Sequence, residues 1–195
     1  MTIKDKNKLV ILRGLPGSGK TSFIKDYVET NLLASEKYMI FNFHDFYDKE
    51  ENNPRNIPMA HSKLFNSFMR NIISSFNSGE RRVIFIDNPN IQEWEYENYE
   101  LVAEYLDFEV QIIEIECPDE RYIEFFGSRS SLKMNTSAIH SMYKRWEDND
   151  LADKVSPYID IDISQMGDCL PYPKKTSEEL DEELEKYWSN KVNED

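Results

Sequence analysis

Eight consecutive residues, Gly14, Leu15, Pro16, Gly17, Ser18, Gly19, Lys20 and Thr21, match the pattern GxxxxGK[ST] in full. Glycines at these positions let the backbone curl so that several N–H groups converge on phosphate oxygens, and a following helix adds the partial positive charge of its N-terminus. A lysine at position 20 reaches the β and γ phosphates, and the hydroxyl of Thr21 suits a magnesium ion. The expected cofactors are therefore ATP and Mg²⁺, held by Gly14 through Thr21 and by Ser22 in the first helical turn. The chain has only six glycines, and three of them fall at 14, 17 and 19. Asp87 ends the apolar run Val83 to Ile86, which suits a carboxylate holding the metal or its water beside Thr21. Capping of the turn Asn88-Pro89-Asn90 is its alternative role.

Phosphoryl transfer also needs a base for the acceptor hydroxyl and a cation for the transferring group. In parallel α/β sheets the residues just beyond the strand C-termini line the ligand crevice, which makes His44 and Asp45, in Asn42-Phe43-His44-Asp45-Phe46-Tyr47, the candidate bases. Asp45 as a cap and His44 as a solvated loop residue are the alternatives. Between Arg121 and Arg145, five bases (Arg121, Arg129, Lys133, Lys144, Arg145) face one acid, Glu124. Such a basic segment suits a lid over phosphates, with Arg129 as the transition-state cation and a further contact to the nucleotide. Arg145 reads as a surface residue.

The elements that must position these groups follow from apolar periodicity. Leu9 to Leu12 predicts a strand, and Lys20 to Leu33 a helix. Tyr38 to Phe43 predicts a second strand, followed by a long loop to Asn56. Leu64, Phe65, Phe68, Ile72, Ile73 and Phe76 recur at helical spacing between Pro58 and Gly79. Arg82 to Asp87 is a continuous apolar strand of the kind buried on both faces. Asn90 and Glu93 have the form of a capping box, opening a helix to about Leu106. Glu109 to Glu116 is a fourth strand, Pro118 to Gly127 and Thr136 to Trp146 are helices, and alternation over Tyr158 to Ile163 predicts a fifth strand. Alternating strands and helices specify an α/β fold of the P-loop NTPase type: a mainly parallel five-stranded sheet flanked by helices, with a basic helical lid over about 121–145. Residues 1–165 form that domain. Residues 166–195 are an acidic extension in which Leu180, Leu184, Tyr187 and Trp188 share one stripe, as in a helix.

The chain has 195 residues and a formal charge of -14. That balance argues against general affinity for nucleic acid or anionic membrane. Residues 83–120 hold twelve acids and no Lys or Arg, whereas Met1 to Leu33 sums to +3 and Arg121 to Arg145 to +4. Acidity therefore favours a short or single-stranded end, a modified base or a small molecule over a long duplex, without excluding nucleic acid. The two cysteines, Cys117 and Cys169, form no CxxC, and no secretory or membrane-spanning segment is evident, so a cytoplasmic location is expected.

Leu12-Arg13-Gly14 through Thr21, Ala60-His61, Ile86-Asp87-Asn88-Pro89-Asn90 with Trp94-Glu95 and Tyr99, Arg129, and Ile139 to Lys144 together resemble the polynucleotide-kinase-like P-loop family of 5'-hydroxyl kinases. The resemblance spans about Leu9 to Glu147. It implies ATP and Mg²⁺ as donor, a lid arginine at Arg129, and transfer of the γ-phosphate to a hydroxyl at a nucleic-acid end. The family carries a catalytic Asp two residues after a Ser or Asn at the end of the second strand, often with an Arg three residues later. Here His44 and Tyr47 occupy those places. Either Asp45 substitutes through a one-residue loop shift, or neutral His44 is the base, or catalysis is impaired. A small-molecule or nucleoside kinase and a nucleotide-binding module without turnover are the other readings.

Overall fold

The computed structural model describes residues 6–34, 36–47, 56–78, 81–130 and 134–157. Five strands, β1 (Lys8–Arg13), β2 (Lys37–Phe41), β3 (Arg82–Asp87), β4 (Glu109–Ile115) and β5 (Asp153–Val155), form one sheet in the order β2-β3-β1-β4-β5. Every pairing is parallel. The helices are α1 (Lys20–Asn31), α2 (Ile57–Ser78), α3 (Glu97–Tyr105), α4 (Arg121–Arg129) and α5 (Thr136–Tyr143), with 3-10 turns at Phe43–Asp45 and Glu93–Glu95.

The continuous apolar strands are buried on both faces, as such runs require. Successive side chains of β1 and β3 point to opposite sides. Leu9, Ile11, Ile84 and Ile86 pack with Leu64, Phe68 and Ile72 of α2 and with Tyr99 and Ala103 of α3. Val10, Leu12, Val83 and Phe85 pack with Ile24 of α1 on the other face. A third cluster joins Leu15 and Ile91 to Tyr122, Ile123 and Phe126 of α4 and Ile139 of α5. It seats the two basic-segment helices against the glycine-rich loop.

Register brings the chemistry-bearing residues to one edge. Leu12 pairs with Asp87 and Phe41 with Ile86, so β1, β2 and β3 end together. The connection after β1 leaves toward β2, while the one after β3 crosses to β4 on the other side. Divergent connections of this kind open a crevice at the strand C-termini.

Two expectations are corrected, and a third, a strand over Tyr158 to Ile163, lies outside the described residues, as do 166–195. Among the described residues the fifth strand is Asp153–Val155. This edge strand is fixed by polar contacts rather than apolar alternation: Gln111 Nε2 donates to Asp153 Oδ2 at 2.7 Å, and Lys154 Nζ stands 3.8 Å from Glu114. The Asn90–Glu93 capping box does not form. Asn90 takes φ 46, the left-handed region that Asn tolerates, and its amide donates to Leu12 O at 2.7 Å. The Glu93 N–H donates to the Glu147 carboxylate at 2.7 Å, and α3 starts only at Glu97. Finally, α4 runs past Gly127 to Arg129, and α5 stops at Tyr143, short of Trp146.

Candidate nucleotide and acceptor site

A cleft of about 320 Å³ at the C-terminal edge of β1 and β3 is lined by Pro16, Gly17, Gly19, Lys20, Thr21 and Ser22 of the loop and α1. Asn42, His44, Asp87 and Arg129 complete its walls. The loop turns through φ 84 at Gly17 and φ 101 at Gly19, a region that side chains rarely adopt. Gly19 is the N-cap of α1 and supplies no side-chain cap, and the N-terminal end of α1, with its partial positive charge, borders the cleft. At Gly17 a Cβ would stand 2.0 Å from the Phe126 carbonyl oxygen. The loop and α4 are thus in contact through bare backbone.

Lys20 is buried, and its Nζ donates to the carbonyls of Gly14 at 2.8 Å and Leu15 at 3.1 Å. Burial lowers its pKa from 10.5 to about 8, and the Asp87 carboxylate offsets part of that shift. Thr21 Oγ1 donates to Asp87 Oδ2 at 2.9 Å. The hydroxyl and carboxylate expected at a magnesium ion therefore already stand together. Among the described residues no group of three or more His, Cys, Asp or Glu is placed to hold a metal. A divalent ion here would rely on Thr21, Asp87 and phosphate oxygens, the mode in which magnesium is bound with few protein ligands. Ser18 Oγ is buried without a hydrogen-bond partner. Leu15 contributes its carbonyl to Lys20 while its side chain lies in the core, and neither it, Gly14 nor Ser18 forms part of the cleft wall.

The turn after β3 assigns each of its residues a task. Asp87 Oδ2 also accepts from Asn42 Nδ2 at 3.2 Å. Asn88 Oδ1 accepts from the Phe43 N–H at 2.8 Å, and Asn42 Oδ1 accepts from the His44 N–H at 2.9 Å, which together pin the 3-10 turn. The Pro89 carbonyl accepts from the Gly14 N–H at 3.0 Å, and Asn90 holds Leu12. His44 is on the cleft wall. Asp45, one residue on, is exposed and outside it. Tyr47 stacks on Phe43, with ring centroids 5.3 Å apart, and His61 packs on the same ring at 4.5 Å.

Arg13 is fully buried, although a charged residue closing a strand carries no such signal in the sequence. Its Nε donates to Asn90 O at 2.9 Å, Nη1 to Glu114 Oε2 at 2.6 Å, and Nη2 to Ile91 O at 3.2 Å and to the Glu147 carbonyl. The guanidinium lies 4.7 Å from the Trp146 ring centroid and 5.3 Å from that of Tyr96. It therefore ties the start of the phosphate loop to the turn after β3 and to the segment leaving α5. Glu95 adds to this node by accepting from the Ile91 N–H at 3.1 Å, whereas Trp94 is exposed. Sequence reasoning also missed Asn42, Pro89, Lys25 and Ser130 on the cleft wall. Asn42 and Pro89, just beyond the C-termini of β2 and β3, had positions that pointed there.

The AAA domain family profile matches residues 9–145, well over half of the chain. This chain belongs to the AAA domain family. Solved structures similar to this AAA domain protein include the Mycobacterium tuberculosis APS kinase CysC in complex with AMPPNP and APS. That match has a TM-score of 0.53 at 11% identity and covers 82% of this chain and 93% of that one. A gluconokinase from Sinorhizobium meliloti 1021 matches with a TM-score of 0.52 at 12% identity, covering 80% and 85%. Kti12 from Chaetomium thermophilum, in complex with ADP-AlF3, matches at 0.51 and 12%, covering 93% and 97%. At such identities the likeness establishes the P-loop kinase fold alone. These matches support a P-loop kinase-like fold and not polynucleotide kinase specifically. Among the described residues no helix is long and apolar enough to cross a membrane.

Proposed function

We propose that this AAA domain protein is an ATP- and Mg²⁺-dependent phosphotransferase of polynucleotide-kinase type, whose acceptor is a hydroxyl at a nucleic-acid end. The observation that carries the reading is the convergence of Lys20, the Thr21–Asp87 pair, His44 and Arg129 on one cleft. Magnesium-bound ATP, when present, supplies the phosphoryl group. Lys20 and the loop amides hold donor phosphates, and Thr21 with Asp87 hold the ion. His44 takes the proton of the acceptor hydroxyl as its oxygen bonds to phosphorus and the bond to the departing ADP oxygen breaks. Arg129 faces the charge on the transferring group. The acceptor class rests on the resemblance of the Asp87-Asn88-Pro89-Asn90 turn and the Trp94-Glu95 pair after it to the 5'-hydroxyl kinases.

One observation favours a second reading: an imidazole rather than a carboxylate stands at the base position. That arrangement also suits a nucleotide-binding module without turnover. Incubation with labelled ATP, Mg²⁺ and a panel of 5'-hydroxyl DNA, RNA, nucleosides and sugars separates the readings. The proposal expects transfer to oligonucleotides above that to nucleosides, reduced about 10²- to 10⁴-fold in His44→Ala and little changed in Asp45→Ala. Preference for free nucleosides or sugars would make the protein a small-molecule kinase. ATP binding without transfer to any acceptor would leave the module reading.

A further inference from the structure

In a chain of net charge -14, residues 56–78 contain Lys63 and Arg70 and no Asp or Glu. These residues build α2, and its exposed flank forms with Phe46 a groove of about 630 Å³ lined by Phe46, Lys63, Asn66, Met69, Arg70 and Ile73. The helical residues among them recur every three or four positions and so form one stripe. Phe46 directly follows the 3-10 turn whose His44 walls the phosphate cleft. Phe43 and Tyr47, on either side of Phe46 in the chain, form a ring cluster with His61 of α2. A ring beside two cations on a helix without acids suits a single strand: a base stacks on Phe46 while Lys63 and Arg70 track the phosphates. Lys63 and Arg70 are about 10 Å apart along the axis at about 1.5 Å per residue. That spans about three nucleotides of a stacked strand at about 3.4 Å each.

We propose that the α2 groove is a track for single-stranded nucleic acid, guiding a 5'-hydroxyl end past Phe46 and the Phe43 cluster toward His44. The inference rests on the reading of the acceptor as a nucleic-acid end and names the form of that acceptor. A single strand fits better than a long duplex, because a ring in the groove needs an open base face to stack on.

The test uses the full chain and two double variants. Lys63→Gln/Arg70→Gln removes both groove cations. Lys6→Gln/Lys37→Gln makes the same charge change near the opposite ends of β1 and β2. Binding of a fluorescent 5'-hydroxyl dT12 is followed by polarisation as salt is varied, and kinase KM and kcat are measured for a dinucleotide and for dT12. The groove variant is expected to bind dT12 about tenfold or more weakly. Its slope of log affinity against log salt should be shallower by about 1.4, from two contacts at about 0.7 each. Its KM should rise for dT12 but not for the dinucleotide or ATP, with kcat retained, and the control variant should match wild type. Unchanged dT12 affinity and KM, or equal loss in the control, would overturn the track while leaving the kinase reading standing. If no acceptor is phosphorylated, the kinase reading falls and the polarisation comparison still decides the groove. Tighter binding of a blunt 12-base-pair duplex than of dT12 would also refute the single-strand assignment.

Discussion

Lys20 offers the sharpest test, because a buried ammonium couples nucleotide affinity to pH. Its Nζ is held by two carbonyl oxygens, and burial lowers its pKa from 10.5 to about 8 against the partial compensation of Asp87. A lysine so depressed is mostly charged below pH 8 and mostly neutral above it. With a pKa of 8 the charged fraction is about ten-elevenths at pH 7 and about one-eleventh at pH 9. If only the ammonium form engages the phosphates, affinity for an ATP analogue should fall about tenfold between those values, or about 1.4 kcal/mol. The incoming phosphate charge favours the protonated form, so at pH 8 binding should take up about half a proton. Calorimetry of a non-hydrolysable ATP analogue with Mg²⁺, in buffers of low and high ionisation enthalpy at pH 7, 8 and 9, measures both quantities. Lys20→Ala should bind more weakly at pH 7 and lose the dependence. An affinity that is flat or rises from pH 7 to 9, or the same slope in Lys20→Ala, would refute the reasoning.

Arg129→Ala should lower kcat about 10³-fold with ADP affinity within a few-fold, as measured by labelled phosphate transfer. Gly17→Ala forces a Cβ to 2.0 Å from Phe126 O at a residue with φ 84. It should destabilise by at least about 1–3 kcal/mol in urea unfolding and weaken nucleotide binding, since the loop or α4 must move. Gly127→Ala is the contrast. Its Cβ would meet Thr136 and Ile139 at 3.4 and 3.5 Å, so stability should hold or rise by up to about 1 kcal/mol. Arg13→Met leaves the buried Glu114 with only the more distant Lys154 ammonium, 3.8 Å away, and should cost about 3–5 kcal/mol; adding Glu114→Gln should recover part of that loss in chemical denaturation.

Much of the scaffold was legible because it depends on neighbouring residues. The phosphate loop needs glycine, lysine and a hydroxyl at set spacings, and Gly14 to Thr21 carry all of them. Doubly buried strands need unbroken apolar runs, as in β1 and β3, and a helix on a sheet needs a stripe such as Leu64, Phe68 and Ile72. Legibility failed where a residue has two local uses. Asn90 resembles a helix cap, yet its amide is taken by Leu12, and Asp153–Val155, which pairs with β4, has neither the length nor the apolar pattern that marks a strand. Arg13 resembles a surface charge until Glu114, Tyr96 and Trp146, each more than eighty positions away, enclose it.

The sequence by itself thus determined a phosphate-cradling loop after a central strand, the α/β class and a locally basic segment near the nucleotide, since each is encoded within a few residues. Tertiary structure alone decided which groups meet. Parallel register set Asn42 beside Asp87, the 3-10 turn put His44 rather than Asp45 on the cleft wall, and packing of α4 on Gly17 brought Arg129 to the same cleft. Such juxtapositions depend on strand order and on burial at distant positions, for which no local spacing provides a signal.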